Sequence, residues 1–150
     1  MSALLKLEVI GDPIGHSLSP IVHGAALTAI GVEYEYAKVK VVSGGLKEYI
    51  KHAVADKVDG FNLTMPHKVD ILKYLSQISD EAKLIESVNT VCVNGGRLLG
   101  YNTDGIGFEL SLNRSGYDFK DSNIVIFGAG GVVRTLAAKA ALNGAKDLCI

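Results

Sequence analysis

The chain has 150 residues, and 15 Lys and Arg against 16 Asp and Glu leave a formal net charge of −1, which offers no electrostatic footprint for nucleic acid or an anionic membrane. With 48% hydrophobic and 21% charged residues, it has the composition of a globular protein able to bury the core of one ordinary domain or two small ones. Two cysteines, Cys92 and Cys149, are too few for a disulfide framework or a metal cluster; no apolar run is long enough for a bilayer and no secretory signal is read, so a cytoplasmic protein is expected.

Leu5 to Ile10 reads as a strand ending at Gly11, followed by the loop G-D-P-I-G-H-S-L-S-P and a helix from Pro20 to about Ile30, closed by Gly31. Ser19 before Pro20 has the chemistry of an N-cap, with proline at the first helical position. Ser17 has no such local role. Together their hydroxyls and the free N–H groups of the helix start would suit a carboxylate. Tyr34 to Val42 reads as a second strand. Gly44-Gly45 then precedes a helix with Leu46, Tyr49, Ile50, Ala53 and Val54 inward and Lys47, Lys51 and Lys57 in solvent.

The stretch G-F-N-L-T-M-P-H-K, Gly60 to Lys68, organises the chain. Val58 and Phe61 end a short apolar run, Pro66 suits the start of a helix, and Val69, Ile71, Leu72 and Leu75 recur at helical spacing. Between strand and helix lie an amide (Asn62), a hydroxyl (Thr64), an imidazole (His67) and an ammonium (Lys68). A solvated turn is one reading; a ligand-binding loop at the carboxyl end of a strand is the other. A further helix spans about Asp80 to Ile85. Alternation of strand and helix to this point predicts an α/β fold with a mainly parallel open sheet.

Val88 to Val93 and Arg97 to Leu99 flank Asn94-Gly95-Gly96, which predicts an antiparallel hairpin. G-Y-N-T-D-G follows. Asp104 there either caps the helix suggested by Ile106, Phe108, Leu110 and Leu112 or faces a site. A polar stretch runs from Asn113 to Asp121, and a domain boundary is expected between about Asn102 and Asp121. Ile124-Val125-Ile126-Phe127 then enters G-A-G-G-V-V-R and a helix through Leu142, capped by Gly144. A glycine-rich turn between strand and helix is the context of a dinucleotide-binding fingerprint. Gly128 permits the tight turn and Gly130 the approach of a pyrophosphate, while Val133 departs from the small residue usual at that place. Leu148 begins another strand. The residue that distinguishes NAD from NADP lies about 20 positions beyond the first glycine, so the chain reads as partial.

S-L-S-P, N-L-T-M-P-H-K, N-T-V, N-T-D-G and G-A-G-G, in this order and spacing, resemble shikimate dehydrogenase over essentially all 150 residues. The resemblance implies a substrate-binding and catalytic domain over residues 1–104 and the first β-α-β portion of a Rossmann domain over 105–150. It implies reversible reduction of 3-dehydroshikimate to shikimate with NADP, NAD not being excluded, in aromatic amino acid biosynthesis. By position, Lys68 and Asp104 would be the catalytic pair, Ser17 and Ser19 would bind the substrate carboxylate, and Thr64 and Asn89 would hold ring hydroxyls. Gly128, Ala129, Gly130 and Gly131 would line the cofactor pyrophosphate.

No metal is expected, because His16, His23 and His52 lack ligand spacing and read as structural, and His67 reads as a solvent-facing helix residue. A homodimer is compatible with the resemblance. The family's later glutamine, its 2′-phosphate motif and its C-terminal helices have no counterpart in these residues, which predicts an exposed apolar patch. Three readings stay open: the enzyme, a shikimate-binding module without turnover, and a relative acting on quinate.

Overall fold

The computed structural model describes residues 4–150. In chain order it contains β1 (Leu5–Gly11), α1 (Ser19–Ala29), β2 (Tyr34–Lys40), α2 (Leu46–Ala55), β3 (Gly60–Leu63), α3 (His67–Asp70) with a 3-10 turn at Ile71–Tyr74, and β4 (Gln77–Ile78). These are followed by α4 (Asp80–Ile85), β5 (Thr90–Asn94), β6 (Arg97–Tyr101), α5 (Asp104–Arg114), β7 (Asn123–Val125), α6 (Val133–Leu142) and β8 (Asp147–Cys149). Strands β1 to β6 form one sheet in the order β2-β1-β3-β5-β6-β4, and β7 and β8 pair separately in parallel.

The expected α/β fold is present. β1 runs parallel to β2 and β3, while β5 is antiparallel to both β3 and β6. The hairpin turns at Gly95 and Gly96, both with positive φ. The core gathers under α2 and α3, where Ile10, Tyr49, Ala53, Val58, Phe61, Leu63, Ile71 and Val91 pack together. Tyr49 meets Phe61 edge-to-face at 5.1 Å, a geometry that aligns ring edge with π-face.

Two links in this sheet position the site. The β3–β5 register places Asn62 opposite Thr90, and Leu63 N–H donates to the Asn89 carbonyl at 2.9 Å. Asn89 N–H in turn donates to the Tyr101 carbonyl at 3.0 Å. The carboxyl end of β3, the start of β5 and the exit of β6 therefore converge, although 60-numbered and 100-numbered residues are far apart in sequence.

Several local expectations need correction. The helix read across Val69 to Leu75 is one α-turn followed by a 3-10 turn, and a short strand, β4, which the sequence pattern did not suggest, pairs with β6. His67 is not solvent-facing but fully buried, whereas Val69 is 59% exposed. The inward face is set by His67 and Ile71, one helical turn apart, rather than by Val69. A cis peptide bond joins Met65 to Pro66, and Pro66 sits just before the helix rather than as its first residue. Ser19 is not an N-cap: it is the first residue of α1, which has no side-chain cap, and the Ser17 hydroxyl instead accepts the Ser19 N–H at 3.3 Å. Val54 lies at the exposed edge of α2.

α5 connects the two sheets, and Lys139 of α6 ties it to α4, lying 3.1 Å from Glu109 and 3.7 Å from Glu81. Phe108 and Leu110 of α5, Val125 of β7, and Phe127 and Ile150 just beyond β7 and β8 are exposed, Phe127 to 96%. Strand β7 ends at Val125, so Ile126 and Phe127 belong to the loop that follows. Among the described residues no helix is long and apolar enough to cross a membrane, and no group of His, Cys, Asp and Glu could hold a metal ion.

Candidate active site

A cleft of about 360 Å³ opens at the carboxyl ends of β1 and β3, walled by Ser17, Ser19, Asn62, Thr64, Lys68, Asn89 and Asp104 among others. All six residues expected to touch substrate or carry catalysis thus line one space.

At its floor the Lys68 ammonium donates to Asp104 Oδ2 at 2.8 Å. Both side chains are about one-third exposed or less (27% and 31%), so the pair is shielded yet reachable. The other Asp104 oxygen accepts from Asn89 Nδ2 at 2.7 Å. Asn89 also receives the Thr103 N–H on its Oδ1 at 3.1 Å, and Asp104 N–H donates to Asn102 Oδ1 at 3.0 Å. Asp104 is the first residue of α5 and makes no side-chain capping bond. Its carboxylate is committed to Lys68 and Asn89, which sets aside the reading of Asp104 as a mere cap.

The backbone of Lys68 is fixed from several sides. Its carbonyl accepts from Val88 N–H at 2.9 Å, and His67 N–H closes a turn to the Thr64 carbonyl at 3.0 Å. His67 Nε2 lies 2.6 Å from the Val41 carbonyl. A carbonyl can only accept, so Nε2 carries the proton. Its Nδ1 is buried with no partner among the described residues. The loop also approaches β1 closely: Asp12 N–H donates to the Met65 carbonyl at 3.0 Å. A Cβ on Gly11 would fall 2.4 Å from Thr64 Cγ2 and 2.9 Å from the Met65 oxygen, so only glycine permits that approach.

Two polar side chains lining the cleft, Thr103 and His23, and Tyr36, which reaches the cleft residue Asn62, were not read as site residues from the sequence, and Asn62, named there only as part of a possible ligand loop, was given no role. Asn62 donates to the Asn89 carbonyl at 3.3 Å and to Thr90 Oγ1 at 3.1 Å, and accepts from the Tyr36 hydroxyl. Asn62 stands two residues before Thr64, at the end of β3, and side chains so spaced along extended chain fall on one side, which is the signal that could have given it a role. Tyr36 comes from the edge strand β2, and burial pushes its phenol up to about 12, so it serves Asn62 as a neutral donor. Thr103 is linked to Asn89 and lies beside Asp104.

A second cleft, about 750 Å³, lies on the other side of the same loop. It is lined by Thr64, Lys68, Val69 and Glu86 on one wall and by Ala129, Gly130, Gly131 and Arg134 on the other. Gly128, just before it, has φ +115°, a conformation that side chains rarely adopt. A Cβ on Gly130 or Gly131 would meet nothing within 4 Å. The glycine loop thus presents open backbone at the start of the ten-residue helix α6, where N–H groups and the helix dipole favour an anion. That arrangement fits a pyrophosphate.

Residues 9–91 match the family model described as the shikimate dehydrogenase substrate binding domain. The chain belongs to the shikimate dehydrogenase family. A shikimate dehydrogenase (NADP(+)) of Methanocaldococcus jannaschii is 46% identical over 131 residues, covering 87% of this chain and 46% of that protein. Among solved structures, a shikimate dehydrogenase in complex with NADP+ superposes with a TM-score of 0.89 at 42% identity, covering 96% of this chain and 51% of the other. The Listeria monocytogenes shikimate 5-dehydrogenase, in complex with shikimate and NAD, gives 0.88 at 37% identity, over 98% of this chain and 50% of the other. This shikimate dehydrogenase family chain therefore spans about half the length of the relatives it matches.

Proposed function

We propose that the chain carries the substrate side and the opening of the cofactor side of a shikimate dehydrogenase, with residues 1–104 holding shikimate or 3-dehydroshikimate and residues 105–150 beginning the NADP-binding unit. One observation carries this reading: Lys68 and Thr64 line both clefts, so the ammonium stands where a polyol in the first would meet a cofactor in the second.

NADPH, when bound, supplies the hydride. The chain's own task is to orient the ring and move one proton. Adding hydride to a ketone carbon puts negative charge on its oxygen, and an ammonium within hydrogen-bond reach stabilises that charge and then donates its proton to give the alcohol. In the reverse direction the proton returns to the same pair. Lys68 and Asp104, 2.8 Å apart, exchange and share it as one unit. Asn89 fixes the far oxygen of Asp104, which leaves the remaining Lys68 N–H bonds for the substrate. Ser17 and Ser19, with hydroxyls 3.2 Å apart, take the carboxylate. Thr64 and Asn89 take ring hydroxyls. Ala129, Gly130 and Gly131 line the cleft that would receive the pyrophosphate, and Gly128 gives the loop its turn.

The test is NADPH oxidation with 3-dehydroshikimate, run beside calorimetric titration of shikimate. Turnover supports the enzyme reading. Shikimate binding without turnover makes the chain a binding module, and no binding of shikimate overturns the assignment. Rates with quinate against shikimate decide between the two substrates.

A further inference from the structure

Sequence spacing made His23 structural, but its surroundings give it a different role. His23 follows Ser19 by four residues on α1, and residues so spaced share a helix face. That face looks into the substrate cleft, which His23 lines together with Ser17 and Ser19. Its ring lies flat on Tyr36, with centroids 5.6 Å apart and planes 10° from parallel. Tyr36 is itself held by its hydroxyl's bond to Asn62, so the imidazole rests on a fixed platform.

None of the bonds that knit the cleft together uses a His23 nitrogen: the Ser17–Ser19, Tyr36–Asn62, Asn62–Thr90, Lys68–Asp104 and Asn89–Asp104 links all pass it by. Lys68, the other basic side chain lining the cleft, is engaged with Asp104. A ring that lines the same cleft as two hydroxyls, stacked and with no partner for its nitrogens among the described residues, is arranged to donate into that cleft. An imidazole offers a donor N–H in either charge state.

We infer that His23 is a specificity-determining residue that donates to the carboxylate of the ring acid held by Ser17 and Ser19, so that the cleft selects a carboxylated polyol over an uncharged one. This rests on the proposed shikimate reading. The acid end of the site is then built by α1 and β2, and the reacting end by Lys68 and Asp104.

Titration calorimetry with shikimate and with its uncharged methyl ester separates the outcomes. His23→Phe keeps a ring on Tyr36 but removes the donor. It should weaken shikimate about tenfold, as loss of a hydrogen bond to a charged group does, and leave the methyl ester unchanged. His23→Gln, which restores a donor, should recover part of the loss. Equal weakening of both ligands, or of neither, overturns the role of His23 while the shikimate reading stands. Failure of the unsubstituted chain to bind shikimate overturns both. The histidine ring resonances of the unsubstituted chain give an answer that needs no variant to fold. Those of His23 should shift on adding shikimate and stay in place on adding the ester, and the absence of a shift with shikimate contradicts the proposal.

Discussion

The cleft at the ends of β1 and β3 and the cleft facing the glycine loop meet at Lys68, yet they are made differently. In the first, side chains hold one another: Lys68 on Asp104, Asp104 on Asn89, Asn89 on Thr103, and Asn62 between Tyr36 and Thr90. In the second, one wall is open backbone from Ala129 to Gly131. Preorganised side chains suit a small polyol whose hydroxyls must be placed, because only groups already locked can fix a reacting centre. Bare N–H groups suit a phosphate, which needs charge and approach rather than a shaped pocket.

The difference predicts where substitutions will hurt. The largest effect belongs to the residue shared by both clefts. In NADPH-coupled assays Lys68→Ala should lower turnover by about 10²–10⁴-fold, with shikimate affinity in titration calorimetry changed far less. Equal losses in rate and affinity would reduce Lys68 to a binding group.

Asn89→Ala attacks the side-chain network itself. It strips Asp104 Oδ1 and the Thr103 N–H of their partners at a largely buried site, and each group left unpaired costs about 1–3 kcal/mol. Urea unfolding should show that loss even without substrate. A variant as stable as the parent would mean the network forms only around a ligand.

Two glycines sharpen the contrast. Gly11→Ala forces a Cβ against Thr64 and the Met65 carbonyl, and overpacking of that kind costs about 1–3 kcal/mol, visible in thermal unfolding. A Cβ on Gly130 meets nothing within 4 Å, so Gly130→Ala should change stability by no more than about 0.5 kcal/mol, while weakening NADP+ in a binding titration. Loss of stability at Gly130 with NADP+ affinity intact would erase the distinction between the clefts.

The smallest effect is at alkaline pH. Burial holds the Tyr36 phenol protonated up to about 12, against 10.0 for an ordinary tyrosine. Between those values the unfolded chain has lost a proton that the folded chain keeps, so stability falls as pH rises through that window and is intact below it. Burial, and after it the bond to Glu8, moves Tyr49 in the same direction. Tyr36→Phe should flatten part of the slope in denaturant midpoints, and an unaltered slope would remove Tyr36 from the account.

What could be read from the amino acids follows the range of the interactions. The strand β1, the helical spacing of α2, the hairpin at Gly95-Gly96 and the glycine turn before α6 are local, and the structure has them. The meeting of Lys68 with Asp104 depends on β3, β5 and β6 pairing in register; the chain resembled a family that brings them together, but no spacing stated it. Tyr36 and His23 escaped because only the folded sheet brings the Tyr36 hydroxyl of β2, across β1, to Asn62 of β3 and stacks His23 of α1 on Tyr36. His67 misled for a different reason. A polar residue beside Lys68 on a short helix looks solvated, and its burial depends on a single acceptor, the Val41 carbonyl, 26 positions earlier. The short strand β4 has too few residues for any period to register.

The most direct test of the central claim is a crystal structure of the chain with shikimate. The account predicts the carboxylate within hydrogen-bond distance of Ser17 and Ser19, and one ring hydroxyl within reach of both Lys68 Nζ and the Asp104 carboxylate. A ring bound outside this cleft, or one turned so that its carboxylate lies on Lys68, would contradict it.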